Sequence, residues 1–335
     1  MATKEPSKLH ISFTHIDAKL IGTKYAVGVN SGTDALKISL KCIGVKSGDE
    51  VITAANTFVA TVGAITELGA KPIFVDCDDT FCMNVNLIEK KINKKTKAII
   101  PVNLYGQSAD YEKINKIAKK FDLKVIEDCA QSAGSLYKGK PSGSHGDLAA
   151  FSFYPTKILG AYGDGGMVVT NNKNYFLKAK KLRKYGMSKL YYSEFHGVNS
   201  RLDEVQAAIL NYQLSKLDQN IIKRRKIAKI YNENINIDKL IKPTESKNNF
   251  HGYYIYVVRH PQRNKLMSYL RKNNVFCNIS YPFPIHSMKG YKHLHKKNEK
   301  LKITDKLSKQ IFSLPMYPEL KINDVERVIK LINNF

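Results

Sequence analysis

Lys157 closes an apolar, β-prone run, Phe151-Ser152-Phe153-Tyr154-Pro155-Thr156, and opens onto a glycine-rich loop, Gly160-Ala161-Tyr162-Gly163-Asp164-Gly165-Gly166. A lysine delivered from a strand end into such a loop can be desolvated. A desolvated amine sheds its proton more readily and becomes a nucleophile able to form a Schiff base with a carbonyl. In a chain with 54 lysines and arginines, a solvated loop lysine is the plain alternative. Two upstream segments give Lys157 company. Residues 123–126, Leu-Lys-Val-Ile, read as a buried parallel strand, and Glu127-Asp128-Cys129-Ala130-Gln131 follows at its carboxyl end, where open α/β sheets face their ligands. Tyr25-Ala26-Val27-Gly28-Val29 reads as another strand, and Asn30-Ser31-Gly32-Thr33-Asp34 turns from it into a helix beginning Ala35-Leu36. A small-residue turn that opens a helix offers free N–H groups and the positive dipole end to a phosphate; it is also ordinary capping chemistry.

An acid at the position of Asp128 can keep a pyridine nitrogen protonated, which makes the ring of pyridoxal phosphate an electron sink. Gln131 can hydrogen-bond the phenolic oxygen of such a ring. Taken alone, Asp128 serves equally well as a helix cap or as half of a buried ion pair.

Residues 30–36, 127–131 and 152–166 together resemble the sugar-nucleotide aminotransferases, the DegT/StrS group of fold-type I pyridoxal phosphate enzymes. Gly197-Val198-Asn199-Ser200-Arg201-Leu202-Asp203-Glu204-Val205-Gln206-Ala207-Ala208 and Leu314-Pro315-Met316-Tyr317-Pro318 are similar to further signatures of the group, and the likeness runs from about Phe13 to the end of the chain. The resemblance implies an aspartate-aminotransferase-like α/β fold. A large cofactor-binding domain over residues 1–213 would hold a mainly parallel seven-stranded sheet, and residues 214–335 would form a small C-terminal α+β domain. Pyridoxal 5'-phosphate is the implied cofactor. Lys157 would carry the covalent link to it and later shuttle the proton. Asp128 would pair with the ring nitrogen and Gln131 with the ring oxygen. Phe58 would stack on one ring face, with Ala130 against the other, unless Phe58 is a core aromatic. Gly32, Thr33 and Ser152 would hold the phosphate. Asn199 would reach that phosphate from the neighbouring subunit of a homodimer with shared active sites, unless it caps the helix that follows it.

The loop 154–166, Tyr191-Tyr192-Ser193-Glu194-Phe195-His196-Gly197 and Ser280-Tyr281-Pro282-Phe283-Pro284-Ile285-His286 look like the branch of the family that aminates C-3. The implied reaction moves the amino group of L-glutamate to C-3 of a dTDP-linked 3-keto-6-deoxyhexose. The product would be a dTDP-3-amino-3,6-dideoxyhexose for bacterial surface glycans. Tyr185, His196, Tyr281 and His286 are the candidates to line the sugar site. Amination at C-4 by the same group, or a basic regulatory protein that has kept the fold, are the alternatives. Two departures stand out. The family usually carries some thirty more residues before the segment that matches Phe13, including a glycine-containing loop near the cofactor. It also often has a His where Ala133 stands. A short-chain dehydrogenase would need three residues between Tyr154 and Lys157, where there are two, and no glycine-rich dinucleotide fingerprint follows the first strand. A sugar dehydratase of the same group would carry a His at position 157.

Elements must position these groups. Strands are expected to begin near Val51, Ile73, Ala98 and Lys124, with helices over about 57–68 and 111–121 between them, in the alternation that builds a parallel sheet covered on both faces. Ile114, Ile117, Ala118 and Phe121 share one helical face and are expected in the core. A long helical pattern covers 201–234, with Val205, Ala208, Ile209 and Tyr212 at helical spacing. Its run Lys223-Arg224-Arg225-Lys226 is expected on a solvated face. A strand over 253–258 and a helix over 325–332 are expected in the smaller unit. Apolar content of 43% is that of a globular protein. The formal charge of +25 could mark a nucleic-acid surface. Lysines scattered over polar helix faces argue instead for compositional bias, and no nucleic-acid partner is expected; the field would still attract an anionic nucleotide sugar. Five cysteines without a CxxC pair indicate neither a disulfide framework nor a metal site. A cytoplasmic protein without membrane insertion is expected, since no apolar run approaches bilayer length. Replacing Lys157 with alanine should abolish turnover and the absorbance band of lysine-bound cofactor; an active Lys157→Ala enzyme would defeat the assignment.

Overall fold

The computed structural model describes residues 21–295 and 299–335. Phe13 and the rest of the short amino end lie outside the described residues. The first half of the chain alternates strand and helix. Strands β1 (Tyr25–Val29), β2 (Glu50–Ala54), β3 (Lys71–Val75), β4 (Thr96–Ile100) and β5 (Lys124–Asp128) are followed by the short pair β6 (Leu136–Tyr137) and β7 (Lys140–Pro141), then by β8 (Leu148–Ser152) and β9 (Gly166–Thr170). Seven of them form one sheet in the order β1-β9-β8-β5-β4-β2-β3. Strand β9 runs against both of its neighbours, and every other adjacent pair is parallel. This is the mainly parallel seven-stranded sheet expected from the sequence. Its inner strands are apolar on both faces because helices cover both sides: Ile99, Ile126, Ala149 and Val169 have no exposed surface.

Helices α1 (Gly32–Cys42), α2 (Val59–Thr66), α3 (Tyr111–Lys120) and α4 (Lys173–Leu182) accompany this sheet. Helix α3 starts where the Asp110 side chain accepts from the Lys113 N–H at 3.3 Å. It buries Ile114, Ile117 and Ala118 as the spacing predicts. The fourth expected core residue, Phe121, sits beyond the last helical turn as the C-cap and is 38% exposed. There the Lys120 ammonium lies 5.0 Å from its ring centroid.

Beyond the hairpin β10 (Met187–Lys189) and β11 (Tyr192–Ser193), the single long helical pattern is two helices, α5 (Glu204–Leu214) and α6 (Leu217–Asn234). At the break, the Ser215 hydroxyl donates to the Tyr212 carbonyl at 2.7 Å. The bend lets Ala207 and Leu210 of α5 share one apolar cluster with Leu217 and Ile221 of α6. Val205 and Tyr212, also expected in the apolar pattern, are exposed on α5. Farther along α6, Ile227 and Tyr231 join a second cluster with residues of the carboxyl-terminal unit, so this helix belongs to both cores. Strand β12 (Asn249–Phe250) pairs back onto β6, and the carboxyl-terminal unit holds β13 (Tyr256–Arg259), α7 (Arg263–Lys272), α8 (Lys302–Gln310), β14 (Ile311–Leu314) and α9 (Ile322–Asn333), with β13 paired antiparallel to β14.

The basic run on α6 differs from its expected solvated face. Lys223 and Lys226 are exposed, but Arg224 is 7% exposed and Arg225 is half-buried. Arg224 Nη1 lies 3.2, 3.0 and 3.2 Å from the carbonyls of Tyr253, Tyr254 and Met316. Arg225 pairs with Glu245 at 2.7 Å. At 3.6 residues per turn, neighbouring charges cannot share one face, and carbonyls that no strand had paired took up the buried guanidinium. The expected strand over 253–258 starts later, at Tyr256, because Tyr253 adopts a φ of 44° that an extended strand cannot contain.

Gly166 fixes the sheet against the first helix. A Cβ there would stand 2.3 Å from the backbone carbonyl carbon of Ser31. Gly166→Ala should therefore lower stability by about 1–3 kcal/mol through overpacking. A chemical-denaturation midpoint equal to that of the unsubstituted protein would contradict the close approach.

Candidate active site

The carboxyl ends of β1, β2, β5 and β8 meet at one cavity of about 480 Å³, lined among others by Gly32, Thr33, Phe58, Asp128, Gln131, Ser152 and Lys157. Tyr254 and Tyr281 of the carboxyl-terminal unit complete its wall. The sequence places the groups there through strand ends and turns that differ in kind.

One end is the turn from β1 into α1. Ser31 is the N-cap, extended at φ −159°, and its hydroxyl accepts from the Asp34 N–H at 3.1 Å. The first-turn N–H groups of a helix have no intrahelical acceptor, so they carry the positive end of the dipole toward this cavity. A Cβ on Gly32 would lie 2.6 Å from the Ser152 Cβ. Glycine here allows the turn to close on the end of β8, making a narrow cradle with a hydroxyl on its far side. Ser200 anchors the turn from another segment, donating to Asp34 Oδ2 at 2.7 Å and accepting from the Asn30 N–H at 3.0 Å.

The opposite end is built on β5. Successive residues of a strand face opposite sides, so the acids Glu127 and Asp128 part. Glu127 is buried under the loop 143–146, where its carboxylate accepts from the N–H groups of Gly143, His145 and Gly146 at 2.8, 2.6 and 2.7 Å. Asp128 faces the cavity, accepting from the Thr61 hydroxyl at 2.7 Å and the Ala130 N–H at 3.1 Å. Burial pushes its carboxyl above the usual range, against the opposing pull of those two donors and the Lys157 ammonium. Thr61 is held in turn by Thr57, one helical turn earlier, at 2.9 Å. Gln131 is oriented by the Tyr105 N–H, which donates to its Oε1 at 2.7 Å, and its Nε2 donates to the Tyr281 hydroxyl.

Lys157 enters between these ends. Its N–H bonds the Tyr154 carbonyl at 2.9 Å in the turn that ends the β8 extension. Burial pulls the ammonium below the usual lysine range, and the Asp128 charge opposes this. The two groups thus act on each other as opposite charges in one water-poor space, where such effects are least screened. Phe58 is 53% exposed, lines the cavity and lies 5.9 Å from the Tyr281 ring, which excludes the core-aromatic alternative. A buried acid, a desolvated amine, an amide donor, an aromatic wall and a glycine–serine cradle are the donor set that a phosphorylated pyridine aldehyde requires, and the residues present fit that group.

Four expected site residues are not among those lining the cavity. Tyr185, His196 and Asn199 are exposed and lie together, with the Tyr185 N–H bonding the Val198 carbonyl at 3.0 Å and Lys184 bridging Asn199. Asn199 is not a helix cap, since Asp203 occupies that position before α5. His286 faces Asp305, Nε2 to Oδ1 at 3.0 Å, and stands 5.1 Å ring to ring from His295. Sequence reasoning missed Thr61 and Tyr254. Thr61 carried a usable signal, a second threonine four residues after Thr57 at the start of a helix. Tyr254 carried none, since a tyrosine within an apolar run reads as strand.

A family model described as the DegT/DnrJ/EryC1/StrS aminotransferase family matches residues 11–333. The chain is 44% identical, over 94% of its length and 86% of the relative's, to a dTDP-3-amino-3,4,6-trideoxy-alpha-D-glucose transaminase of Micromonospora megalomicea subsp. nigra. It is also 44% identical, over 95% and 87%, to a dTDP-3-amino-3,6-dideoxy-alpha-D-galactopyranose transaminase of Aneurinibacillus thermoaerophilus. Among solved structures, S. venezuelae DesV in complex with a ketimine intermediate superposes with a TM-score of 0.96 at 34% identity, covering 98% of this chain and 89% of that one.

Because the folded state raises the Asp128 carboxyl, its contribution to stability is present below the ordinary carboxylate range and lost as pH rises through the folded value. Asp128→Asn, without cofactor, removes this titration, so the stability difference between the variant and the unsubstituted chain should shift in the variant's favour between about pH 4 and pH 8. Urea midpoints at both pH values check this; a difference that shifts the other way contradicts it.

Proposed function

The chain belongs to the DegT/DnrJ/EryC1/StrS aminotransferase family and is a sugar aminotransferase, and on that premise we propose that it uses pyridoxal 5'-phosphate to move the amino group of L-glutamate to C-3 of a dTDP-linked 3-keto-6-deoxyhexose. The product is a dTDP-3-amino-3,6-dideoxyhexose, made in the cytoplasm for surface-glycan synthesis. The observation that carries this reading is the meeting of the Lys157 amine and the Asp128 carboxyl in one cavity, with a glycine–serine cradle beside them.

Pyridoxal phosphate supplies an aldehyde that amines condense with and a ring that accepts electron density once its nitrogen is protonated. The chain does the rest. Asp128, fixed by Thr61 and Ala130, holds the proton at the ring nitrogen. Gln131, its Oε1 held by the Tyr105 N–H and one Nε2 hydrogen given to the Tyr281 hydroxyl, would offer its second Nε2 hydrogen to the ring oxygen. Gly32, Thr33 and Ser152 hold the phosphate, with the α1 dipole behind them. Phe58 covers one ring face and Ala130 the other. Lys157, whose ammonium burial makes easier to deprotonate, would take the α-proton of glutamate as the neutral amine in the first half, and in the second half would give a proton to C-3 of the sugar. A base so placed contributes about 10²–10⁴-fold. Tyr281 lines the sugar side. Tyr185, His196 and Asn199, exposed on one edge, complete the site of a second copy of this chain, with Asn199 reaching its phosphate.

The C-3 assignment rests on the loop 154–166 and on the segments ending at Gly197 and His286. Relatives that are 3-amino-sugar transaminases, the two described above among them, support it. The net charge of +25 favours capture of an anionic nucleotide sugar. Purified with pyridoxal phosphate, the protein should be yellow near neutral pH and bleach with glutamate, which a regulator that had lost the chemistry would not do. Borohydride trapping and peptide mapping should find the label on Lys157. Incubation with glutamate and the two C-4-epimeric dTDP-3-keto-6-deoxyhexoses should give a product whose NMR spectrum places the nitrogen on C-3; nitrogen on C-4 would refute the positional assignment.

A further inference from the structure

The reading of Lys157 as the reactive amine leaves unanswered what holds that amine in place when it is free. The cavity offers one contact. Lys157 Nζ lies 5.0 Å from the centroid of the Tyr254 ring. The Tyr254 hydroxyl is 3.3 Å from Thr156 Oγ1, one residue before the lysine. Tyr254 is not carried by a strand, since β13 begins two residues later. Its backbone is wedged instead. On one side, a Cβ on Gly106 would come within 2.9 Å of the Tyr254 amide nitrogen and 2.8 Å of that of Tyr253, and Gly106, at φ +106°, leaves that space open. On the other side, the buried Arg224 guanidinium stands 3.2 Å from the Tyr253 carbonyl and 3.0 Å from that of Tyr254. A buried cation on backbone carbonyls is expensive to desolvate and tends to persist where it fixes a geometry.

We infer that Tyr254 is a positioning residue for Lys157, its ring face holding the ammonium in the cavity while Arg224 and Gly106 fix the ring from behind. This rests on the reading of Lys157 as the cofactor-linked amine. The ring quadrupole attracts the ammonium and not the neutral amine, so it opposes burial and helps to keep the proton on Lys157 between the steps in which that proton moves. The other titratable groups lining the cavity are Asp128, Asp164, Tyr154 and Tyr281. Of these, the Asp128 charge acts on Lys157 in the same direction as the ring.

The test needs no cofactor. The cofactor-free chain is acetylated with acetic anhydride across a pH series, and the modified fraction of Lys157 is read by peptide mass spectrometry, giving the titration midpoint of that one amine. Tyr254→Phe keeps the ring and should titrate within about 0.3 pH unit of the unsubstituted chain. Tyr254→Leu keeps apolar bulk without the ring face and should titrate about one unit lower, a tenfold loss of proton affinity, or about 1.4 kcal/mol. A leucine variant with an unchanged or higher midpoint overturns the inference. So does a phenylalanine variant that moves with the leucine one, since the hydroxyl contact with Thr156 would then be responsible. Failure of the underlying reading is seen separately: borohydride labelling of another lysine, or of none, leaves these midpoints untouched.

Discussion

The site depends on a carboxyl group kept where water would not keep it. Asp128 is buried at the end of a strand, with two donors and one ammonium to offset the loss of hydration. An isolated carboxylate would answer such burial by taking up a proton. Here the donors and Lys157 resist that, and a cationic ring nitrogen would resist it further. The amine has the opposite problem, since burial strips its proton while the acid retains it. Each group is therefore the other's main charge partner, and neither environment makes sense alone. The neighbouring Glu127 shows the contrast: also buried, it spends its lone pairs on three loop N–H groups and holds the loop 143–146 in shape instead of facing ligand.

Backbone proximity is the second constraint. The phosphate cradle exists because Gly32 can approach Ser152 and Gly166 can approach Ser31, distances that a Cβ at either glycine would forbid. The same β8–β9 pair that delivers Ser152 and Lys157 is thereby locked to the helix whose dipole faces the cavity. Loop positions decide activity in folds of this type, and rigid strands decide loop positions.

The carboxyl-terminal unit is tied to the same cavity by α6, which contributes to two apolar clusters, and by Arg224, whose guanidinium reaches the carbonyls beside Tyr254. Tyr281 crosses from that unit to Gln131. Movement of the unit would therefore be felt at Gln131 and Lys157 directly, through hydrogen bonds and a ring contact.

The parallel sheet and its helices were legible in the sequence because each is set locally, and Lys157, Asp128 and the Gly32-Thr33 turn stood out as strand-end chemistry; that these join Gln131 and Ser152 in one site was implied by the resemblance of separated segments to one family. Apolar runs of strand length, a small-residue turn and an acid at a strand end declare themselves within ten residues, and the parallel strands bring their carboxyl ends to one edge. Phe121 and the run 223–226 were misread because periodicity assigns a residue to a face but not to a neighbour. Whether Phe121 is covered depends on where α3 stops. Whether Arg224 is solvated depends on carbonyls some thirty residues away that no strand had claimed. The break at Ser215, the placing of Tyr254 against Lys157, and the separation of Tyr185, His196, Asn199 and His286 from the cavity were likewise decided only in three dimensions. The sequence alone determined which chemistry is present and on which strand ends it sits. Only the tertiary structure decided which side chains lose their water together, because burial and charge coupling depend on neighbours remote in sequence.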